Sequence, residues 1–390
     1  MEPAYFDHSA TTPLHEKALA AMLPYFKRDF GNPSSVHGWG QTAEVALLDS
    51  YQAAASLLDC APDSLTFTSG ASESNNLGLV GLAFARRKQQ GRNQLISTPV
   101  EHPSVLNTLR WLETEHGFEL DLLPVDEFGM VDPGQLRAAL SSRTALVSII
   151  YANNEVGSIN PVQRLGEICR AENVPFHSDA TQATSFLPMS IPDLNVDLLS
   201  IGAHKFYGPK GVGLLYVHRG LALEHLFHGG SQGRGIKPGT ENIPLIVGMV
   251  AALKLVMDER AAFAPRLSAW REQIIHSIED SIPDSRLTGH PTERLPNHAS
   301  FAFKGIESNA LLAALDLQGF ACSAGSACKV GNPEPSRVLT AMGLSREWAL
   351  GSLRVSLGRS NTPEQVDRFC SLLPEIVSRL RYVKSPANLP

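Results

Sequence analysis

Hydrophobic and polar positions follow two alternating patterns up to about residue 220. Short apolar runs predict strands, and longer stretches with apolar residues every three or four positions predict amphipathic helices. The predicted strands lie at residues 65–68, 94–97, 145–151, 174–178, 197–201 and 213–217, with helices such as 74–90 and 161–171 between them. This alternation is typical of an α/β fold with a mainly parallel sheet and crossover helices.

The pattern changes in the last third of the chain. Residues 244–280 predict one or two long helices, within which we place a domain boundary. Beyond them, strands at 299–303 and 352–356 mix with helices at 308–317, 335–342 and 364–380, as in a smaller α+β domain. The expected division is an N-terminal arm at 1–14, a large domain at 15–255 and a small C-terminal domain at 256–390. Thr12 and Pro13 are expected to start the first helix, as N-cap and first-turn residue.

Composition and charge exclude several classes of protein. The 390 residues are 43% hydrophobic and 18% charged, and 33 Lys and Arg against 39 Asp and Glu give a net charge of −6. Without a polybasic block, no nucleic-acid surface is expected. The most apolar window, residues 245–257, includes Lys254 and falls short of the ~18 residues that a membrane-spanning helix needs. The N-terminus lacks a signal-peptide pattern, so a cytoplasmic location is expected.

The cysteines indicate reduced, intracellular usage. They are odd in number and widely spaced, at Cys60, Cys169, Cys322, Cys328 and Cys370. No CxxC pair occurs, which excludes a zinc ribbon or thioredoxin motif, and no metal site is predicted.

Small and polar residues follow two of the predicted strands. Residues 68–76 lead from a strand into a helix, whose free N–H groups and Ser72 hydroxyl would form an anion site, although ordinary turn chemistry has the same composition. Asp179 ends a buried strand, where an unpaired carboxylate is costly and needs a cationic partner. The alternative for Asp179 is a helix cap, which its immediate neighbours favour.

Lys205 follows another predicted strand and His204, in a loop rich in glycine. This arrangement resembles the cofactor-binding lysine of enzymes that use pyridoxal phosphate (PLP), where desolvation makes the amine a nucleophile. The alternative is a surface lysine with its charge in water. The spacing decides between them: 205 − 179 = 26 residues is one βαβ step, so Asp179 and Lys205 are expected at neighbouring strand ends.

Cys328 lies among small and turn-forming residues, in contrast to a structural cysteine in an apolar run. We expect an accessible, mobile loop, in which the adjacent Lys329 favours the thiolate. Cys322 is expected to be a small core residue. The other cysteines are expected to be structural.

In this order, the motifs resemble those of the cysteine desulfurases that supply sulfur for iron–sulfur clusters. The resemblance covers nearly the whole chain and rests on residues 5–13, 30–35 and 68–76, Glu101-His102, Asn153-Asn154-Glu155, residues 179–182, His204-Lys205, and residues 239–242, 325–328 and 354–359. It implies a PLP homodimer of fold type I that converts L-cysteine to L-alanine and leaves a persulfide on Cys328. A sulfur-acceptor protein, whose identity stays open, would take the sulfur.

The resemblance also implies a role for each matched residue. Lys205 would hold the cofactor and shuttle protons, Asp179 would pair with the pyridinium nitrogen, Gln182 would bind the phenolic oxygen, and His102 would stack on the ring for acid–base work. The remaining implied contacts are Ala71, Ser72 and His204 to the phosphate, Thr240 to the partner subunit's phosphate, and Asn154 and Arg354 to the substrate carboxylate.

Three positions depart from the family pattern. Gly202 replaces a common serine, so one phosphate contact is expected to be missing. Lys237-Pro238 stands in place of Arg-Ser, and Lys329-Val330-Gly331 follows Cys328 in place of a Thr-Ser pair.

Alternative functions are a selenocysteine lyase, another PLP-dependent aminotransferase or lyase, and a non-catalytic scaffold. The intact catalytic residues argue against the scaffold.

Overall fold

The computed structural model describes residues 3–325 and 334–384. Its strands are β1 (Ala4–Tyr5), β2 (Leu65–Thr68), β3 (Gln94–Ser97), β4 (Glu119–Leu122), β5 (Thr144–Ser148), β6 (Phe176–Asp179), β7 (Leu198–Gly202), β8 (Gly213–Val217), β9 (Ser285–Leu287), β10 (His298–Phe303), β11 (Phe320–Ala321) and β12 (Ser352–Ser356).

The helices connect these strands and cover their faces. They are α1 (Glu16–Lys27), α2 (Gly38–Leu58), α3 (Ala71–Gln90), α4 (Pro103–His116), α5 (Pro133–Ala139), α6 (Val162–Ala171), α7 (Ile191–Leu194), α8 (Ile243–Ser281), α9 (Ser308–Leu317), α10 (Arg337–Ala341), α11 (Arg346–Ala349) and α12 (Pro363–Lys384). None of the helices within the described ranges is both long and apolar enough to span a membrane.

A seven-stranded sheet, in the order β2-β8-β7-β6-β5-β3-β4, organises the first part of the described chain. Its neighbours pair in parallel except β8, which is antiparallel to both β2 and β7. Every residue of β5 is buried, since helices cover both faces of the sheet. The predicted α/β class with a mainly parallel sheet is confirmed.

Two smaller sheets accompany the large one: a three-stranded antiparallel sheet, β12-β10-β9, and the parallel pair β1-β11. Helix α8 links the two hydrophobic clusters, because Ile246 and Leu253 pack into the cluster under the large sheet whereas Leu267 and Ile274 pack beside β10 and β12. The pairing of β1 with β11 ties the start of the chain to this second cluster. Ala4 and Phe6 of the arm are accordingly part of the second cluster.

The expectation that Thr12 and Pro13 start the first helix is wrong. Helix α1 begins at Glu16, and the His15 side chain caps it by accepting a hydrogen bond from the Lys17 N–H. The Thr12 hydroxyl instead donates to the His204 carbonyl at 2.9 Å and accepts from the Tyr207 N–H at 2.7 Å. These two hydrogen bonds hold the arm against the loop that carries Lys205.

Candidate active site

A cavity of about 560 Å³ opens beyond the carboxyl ends of β6 and β7, where ligands bind in open α/β sheets. Its walls include most of the predicted site residues, namely Ala71, Ser72, His102, Asn154, Asp179, Gln182, His204, Lys205 and Arg354. The N-terminal arm adds Ser9, Ala10 and Thr11. Side chains from distant parts of the sequence thus meet in one place.

Asp179 and Lys205 reach this cavity from neighbouring strands. Asp179 is the last residue of β6 and pairs in register with Ser200 of β7, and Lys205 follows β7 in a single helical turn. Asp179 and Lys205 therefore lie at the ends of adjacent strands, as predicted. The carboxylate of Asp179 is almost fully buried, at 4% exposure.

Two neutral hydrogen-bond donors of the protein hold the Asp179 carboxylate in place. The Asn75 side-chain amide donates to Oδ2 at 2.8 Å, and the Thr181 N–H donates to Oδ1 at 3.0 Å. The contact with Thr181 matches the alternative in which Asp179 caps the following turn. Both contacts leave room for a further donor from the cavity, because a carboxylate accepts about four hydrogen bonds.

The Lys205 ammonium points at the N-terminal arm. Its Nζ donates to the Ser9 carbonyl at 2.5 Å and to the Ala10 carbonyl at 2.6 Å. Burial, together with the nearby charge of Arg354, lowers the pKa of Lys205 from 10.5 to about 8. A substantial fraction of the amine is therefore neutral near physiological pH, as a nucleophilic lysine requires.

His102 forms one wall of the cavity at the start of α4. Its Nδ1 lies 2.7 Å from the Ser104 hydroxyl, which in turn accepts from the Asn75 amide at 2.9 Å. Burial lowers the pKa of His102, so the imidazole is held mainly neutral at pH 7. The cavity is therefore lined by a neutral imidazole ring.

The start of α3 forms an anion cradle at one end of the cavity. First-turn N–H groups, here those of Ala71 and Ser72, have no partner within a helix and attract negative charge. Strand β8 passes close by, since a Cβ on Gly213 would lie 2.6 Å from the Gly70 carbonyl carbon. His204 completes the cradle, and burial followed by the charge of Lys205 lowers its pKa to about 4.

Arg354 stands at the opposite end. One guanidinium nitrogen donates to Asp7 Oδ1 at 2.9 Å and the other terminal nitrogen donates to the Asn154 carbonyl at 2.9 Å. Its Nε has no partner among the described residues. These contacts fix the guanidinium plane and leave N–H groups for a carboxylate.

Three predicted residues remain, Gln182, Thr240 and Cys328. The Gln182 amide lines the cavity but donates to the Ser9 carbonyl at 2.9 Å. Thr240 is exposed and lines a second cavity together with Lys237, away from Lys205 of the same chain. Cys328 and the departure at Lys329 lie outside the described residues.

The remaining predictions concern Gly202 and the other cysteines. A Cβ on Gly202 would lie 3.2 Å from Ala71 Cβ and 3.4 Å from Thr181 Cγ2, so a serine would fit tightly there.

Cys322 is half-buried against the second hydrophobic cluster, and burial raises the pKa of its thiol. Cys169 is buried, and Cys60 and Cys370 are partly buried.

Several groups that build the site had no role predicted from the sequence. These are Asn75, Ser104, Asp7 and the backbone carbonyls of Ser9 and Ala10. Asn75 and Asp7 lie within quoted motifs, and their position in those motifs was the available signal. Backbone carbonyls have no such signal, because every residue has one.

Comparison with known proteins identifies the family. The model of the aminotransferase class-V family matches residues 4–369. The chain is 45% identical to the cysteine desulfurase IscS of Methanosarcina thermophila, over 97% of this chain and 92% of the relative.

Two solved structures are also similar. A NifS-like protein superposes with a TM-score of 0.90 at 35% identity, covering 97% of this chain and 100% of the other. A structure described as SspA in complex with cysteine superposes with a TM-score of 0.77 at 34% identity, covering 90% and 98%. The fold and the predicted family are both confirmed: the chain is an enzyme that belongs to the aminotransferase class-V family and, within it, to the cysteine desulfurases.

Proposed function

We propose that the protein removes sulfur from L-cysteine, releases L-alanine, and carries the sulfur as a persulfide on Cys328 for an acceptor protein in iron–sulfur cluster or thio-cofactor synthesis. The observation that carries the proposal is the shared cavity of Lys205, Asp179 and Arg354. A structural neighbour described as a complex with cysteine supports the substrate, and a relative named as a cysteine desulfurase supports the reaction.

The cavity fits PLP at three points. The α3 cradle suits the phosphate, the buried Asp179 suits a protonated pyridine nitrogen, and Lys205, with its pKa lowered to about 8, suits the aldehyde carbon. Thr181 Oγ1 and Asn75 Oδ1 are buried without partners among the described residues, as expected beside a polar ligand. Gln182, His204 and Ser72 would complete the contacts.

When bound, PLP supplies an electron sink that stabilises negative charge at the substrate α-carbon. Arg354 and Asn154 hold the substrate carboxylate. The amine of Lys205, with its pKa lowered to about 8, accepts the α-proton and returns it during the reaction. His102, neutral and close to the substrate, assists the proton transfers. Asp179 keeps the pyridine nitrogen protonated.

Sulfur transfer is assigned to Cys328. Its thiolate attacks the substrate sulfur, so that a new S–S bond forms while the C–S bond breaks. The electron pair of the broken bond stays on carbon, which takes up a proton as alanine forms. The balanced result is alanine and a Cys328 persulfide, with no external oxidant.

We further propose a homodimer in which Thr240 reaches the partner's phosphate site. The apolar side chains Leu19, Leu23 and Phe26 lie on one exposed face of α1, at 43%, 46% and 56% exposure. Trp39, Val45 and Leu48 of α2 are further exposed apolar side chains, at 59%, 57% and 59% exposure. Exposed apolar groups of this size support a subunit interface in this part of the chain. Sedimentation at several concentrations tests the proposal, and a monomer throughout would contradict it.

A cysteine assay tests the proposed reaction. The purified protein with PLP is expected to release alanine from L-cysteine, and sulfide when a reductant is present. Lys205→Ala is expected to abolish alanine and the visible absorbance of the lysine-bound cofactor. The matched control is Lys254→Ala, an exposed lysine on α8 that pairs with Asp258. Alanine formation by Lys205→Ala would contradict the proposal.

A further inference from the structure

Glu155 is a half-buried carboxylate that contacts both described ends of the segment containing Cys328. The described chain stops at Gly325 and resumes at Glu334. On the far side of this gap, the Ser336 hydroxyl donates to Glu155 Oε2 at 2.5 Å. On the near side, Gly325 packs against the same carboxylate. One side chain thus lies against both ends.

The contact with Gly325 leaves no space for a side chain. A Cβ placed on Gly325 would overlap Glu155 Oε2 and would lie 3.2 Å from Ser336 Cβ. Glycine at this position therefore allows the close approach of the Glu155–Ser336 pair. Any larger residue must displace the carboxylate or the hydroxyl.

Each end is also tied to the rest of the site. Ser336 is buried and caps α10 by accepting from the Leu339 N–H at 3.2 Å. Two residues before Gly325, Ser323 exchanges two backbone hydrogen bonds with Arg354, at 2.7 and 3.2 Å. The near end therefore joins β12, the strand that carries Arg354, and the far end starts α10.

Glu155 itself is held firmly beside that carboxylate position. Its N–H donates to Asn153 Oδ1 at 2.8 Å, and the preceding carbonyl, of Asn154, accepts from Arg354. Burial raises the pKa of Glu155, which the Ser336 hydrogen bond and the charge of Arg354 oppose. The side chain thus has a defined position but faces the segment ends and does not line the cavity described above.

We propose that Glu155 is a positioning residue for sulfur transfer, which sets the ends of the Cys328 segment relative to Asn154 and Arg354 through its contacts with Gly325 and Ser336. The inference rests on the proposed function, because it assumes that Cys328 accepts the sulfur. Glu155 acts only through these neighbours and touches neither substrate nor cofactor. Its loss should therefore slow sulfur transfer without weakening the binding of cysteine.

The test compares holoenzyme variants in a single turnover. Cysteine binding is followed by the absorbance of the bound cofactor, and sulfur transfer by mass spectrometry of the Cys328 peptide. Glu155→Ala is expected to slow persulfide formation by about tenfold, with cysteine affinity changed by less than about twofold. Glu155→Gln is expected to recover most of the rate, because its amide oxygen can accept from Ser336.

A double-variant cycle isolates the contact with Gly325. Gly325→Ala alone is expected to slow persulfide formation, but to have no further effect when combined with Glu155→Ala, since the overlapping carboxylate is then gone. Gly38→Ala, at a glycine with no atom within 4 Å of a built Cβ, is the control and should match wild type. Additive effects, or an unchanged rate in Glu155→Ala, would overturn the proposal.

Hydrogen exchange of the cofactor-free protein gives a readout that does not depend on activity. Amides in α10 are expected to exchange about tenfold faster in Glu155→Ala and at nearly the wild-type rate in Glu155→Gln. Unchanged exchange in Glu155→Ala would overturn the positioning role. Absence of a Cys328 persulfide in wild type, with the exchange difference present, would instead count against the proposed function alone.

Discussion

The side-chain amide of Asn75 donates a 2.8 Å hydrogen bond to Oδ2 of Asp179, although the two residues are 104 positions apart. The same amide donates to the Ser104 hydroxyl, which contacts His102 Nδ1. A chain of hydrogen bonds thus connects the carboxylate at the end of β6 with the imidazole at the start of α4. We infer that this chain orients both groups for the cofactor.

Asn75→Ala tests this chain. The variant removes a donor to Asp179 and to Ser104, so we expect PLP affinity and turnover each to fall by about tenfold. Equilibrium binding of PLP and steady-state alanine release provide the measurement. Asn93→Ala removes an amide that bonds the exposed Glu119 and should change neither value. Wild-type values for Asn75→Ala would show that Asp179 needs no support from Asn75.

Asp179→Asn changes the chemistry of the same position. The new side chain has nearly the same shape as Asp179, and its amide oxygen can still accept the hydrogen bond from Asn75. It carries no charge. A neutral partner lets the pyridine nitrogen lose its proton, so we expect turnover to fall by about 100-fold or more while the protein stays folded. Circular dichroism and alanine release are the measurements. Near-native turnover with bound PLP would reduce Asp179 to a cap for Thr181.

The positions of Asp179 and Lys205 could be predicted from the sequence because local patterns determine them. Each lies at or just after the end of a predicted strand, and parallel neighbours in a sheet bring their carboxyl ends to one edge. Strand β4 was not predicted, since Glu119 and Asp121 alternate with leucines at an exposed edge held only by β3. The hydrogen-bonded pairing of β4 with β3, which its residue types do not reveal, makes this segment a strand.

The path of the N-terminal arm could not be predicted from the sequence. Thr12 is a good N-cap by residue type, but its hydroxyl bonds the His204 carbonyl and the Tyr207 N–H, which lie almost 200 residues away. The contacts of Lys205 with Ser9 and Ala10 use backbone carbonyls, which residue type does not reveal. Tertiary contacts override local preference at these places.

The lowered pKa of Lys205 predicts how cofactor capture depends on pH. Only the neutral amine attacks an aldehyde, and burial lowers the pKa to about 8. We expect the rate at which cofactor-free protein captures PLP to rise about tenfold per pH unit below pH 8 and to level off above it. Stopped-flow absorbance measures the rate. A rise that continues to pH 10 would indicate an ordinary, solvated lysine.

Glu101 predicts a pH dependence of stability. Burial, with a smaller contribution from Asp179, raises its pKa from 4.5 to about 8, and its Oε2 has no partner among the described residues. Between pH 4.5 and 8 the folded state therefore binds more protons than the unfolded state. The stability that this group contributes is fully present below pH 4.5 and is lost as pH rises through about 8.

Glu101→Gln removes this titration while keeping an oxygen for the Ile150 N–H and the Thr98 hydroxyl. Relative to wild type, the variant is expected to gain free energy of unfolding as pH rises from 5 to 8, by up to about 1.4 kcal/mol per unit. Urea unfolding at several pH values measures the difference. A difference that stays constant with pH would show that Glu101 does not titrate in this window.

The most direct test of the proposed function is mass spectrometry of the holoenzyme after incubation with L-cysteine in the absence of reductant. We expect the mass of one added sulfur atom on the peptide that contains Cys328, no such addition on Cys60, Cys169, Cys322 or Cys370, and no persulfide in Cys328→Ser, which should still bind PLP and cysteine. Sulfur on another cysteine, or unchanged alanine release by Cys328→Ser, would contradict the assignment of Cys328 as the sulfur acceptor.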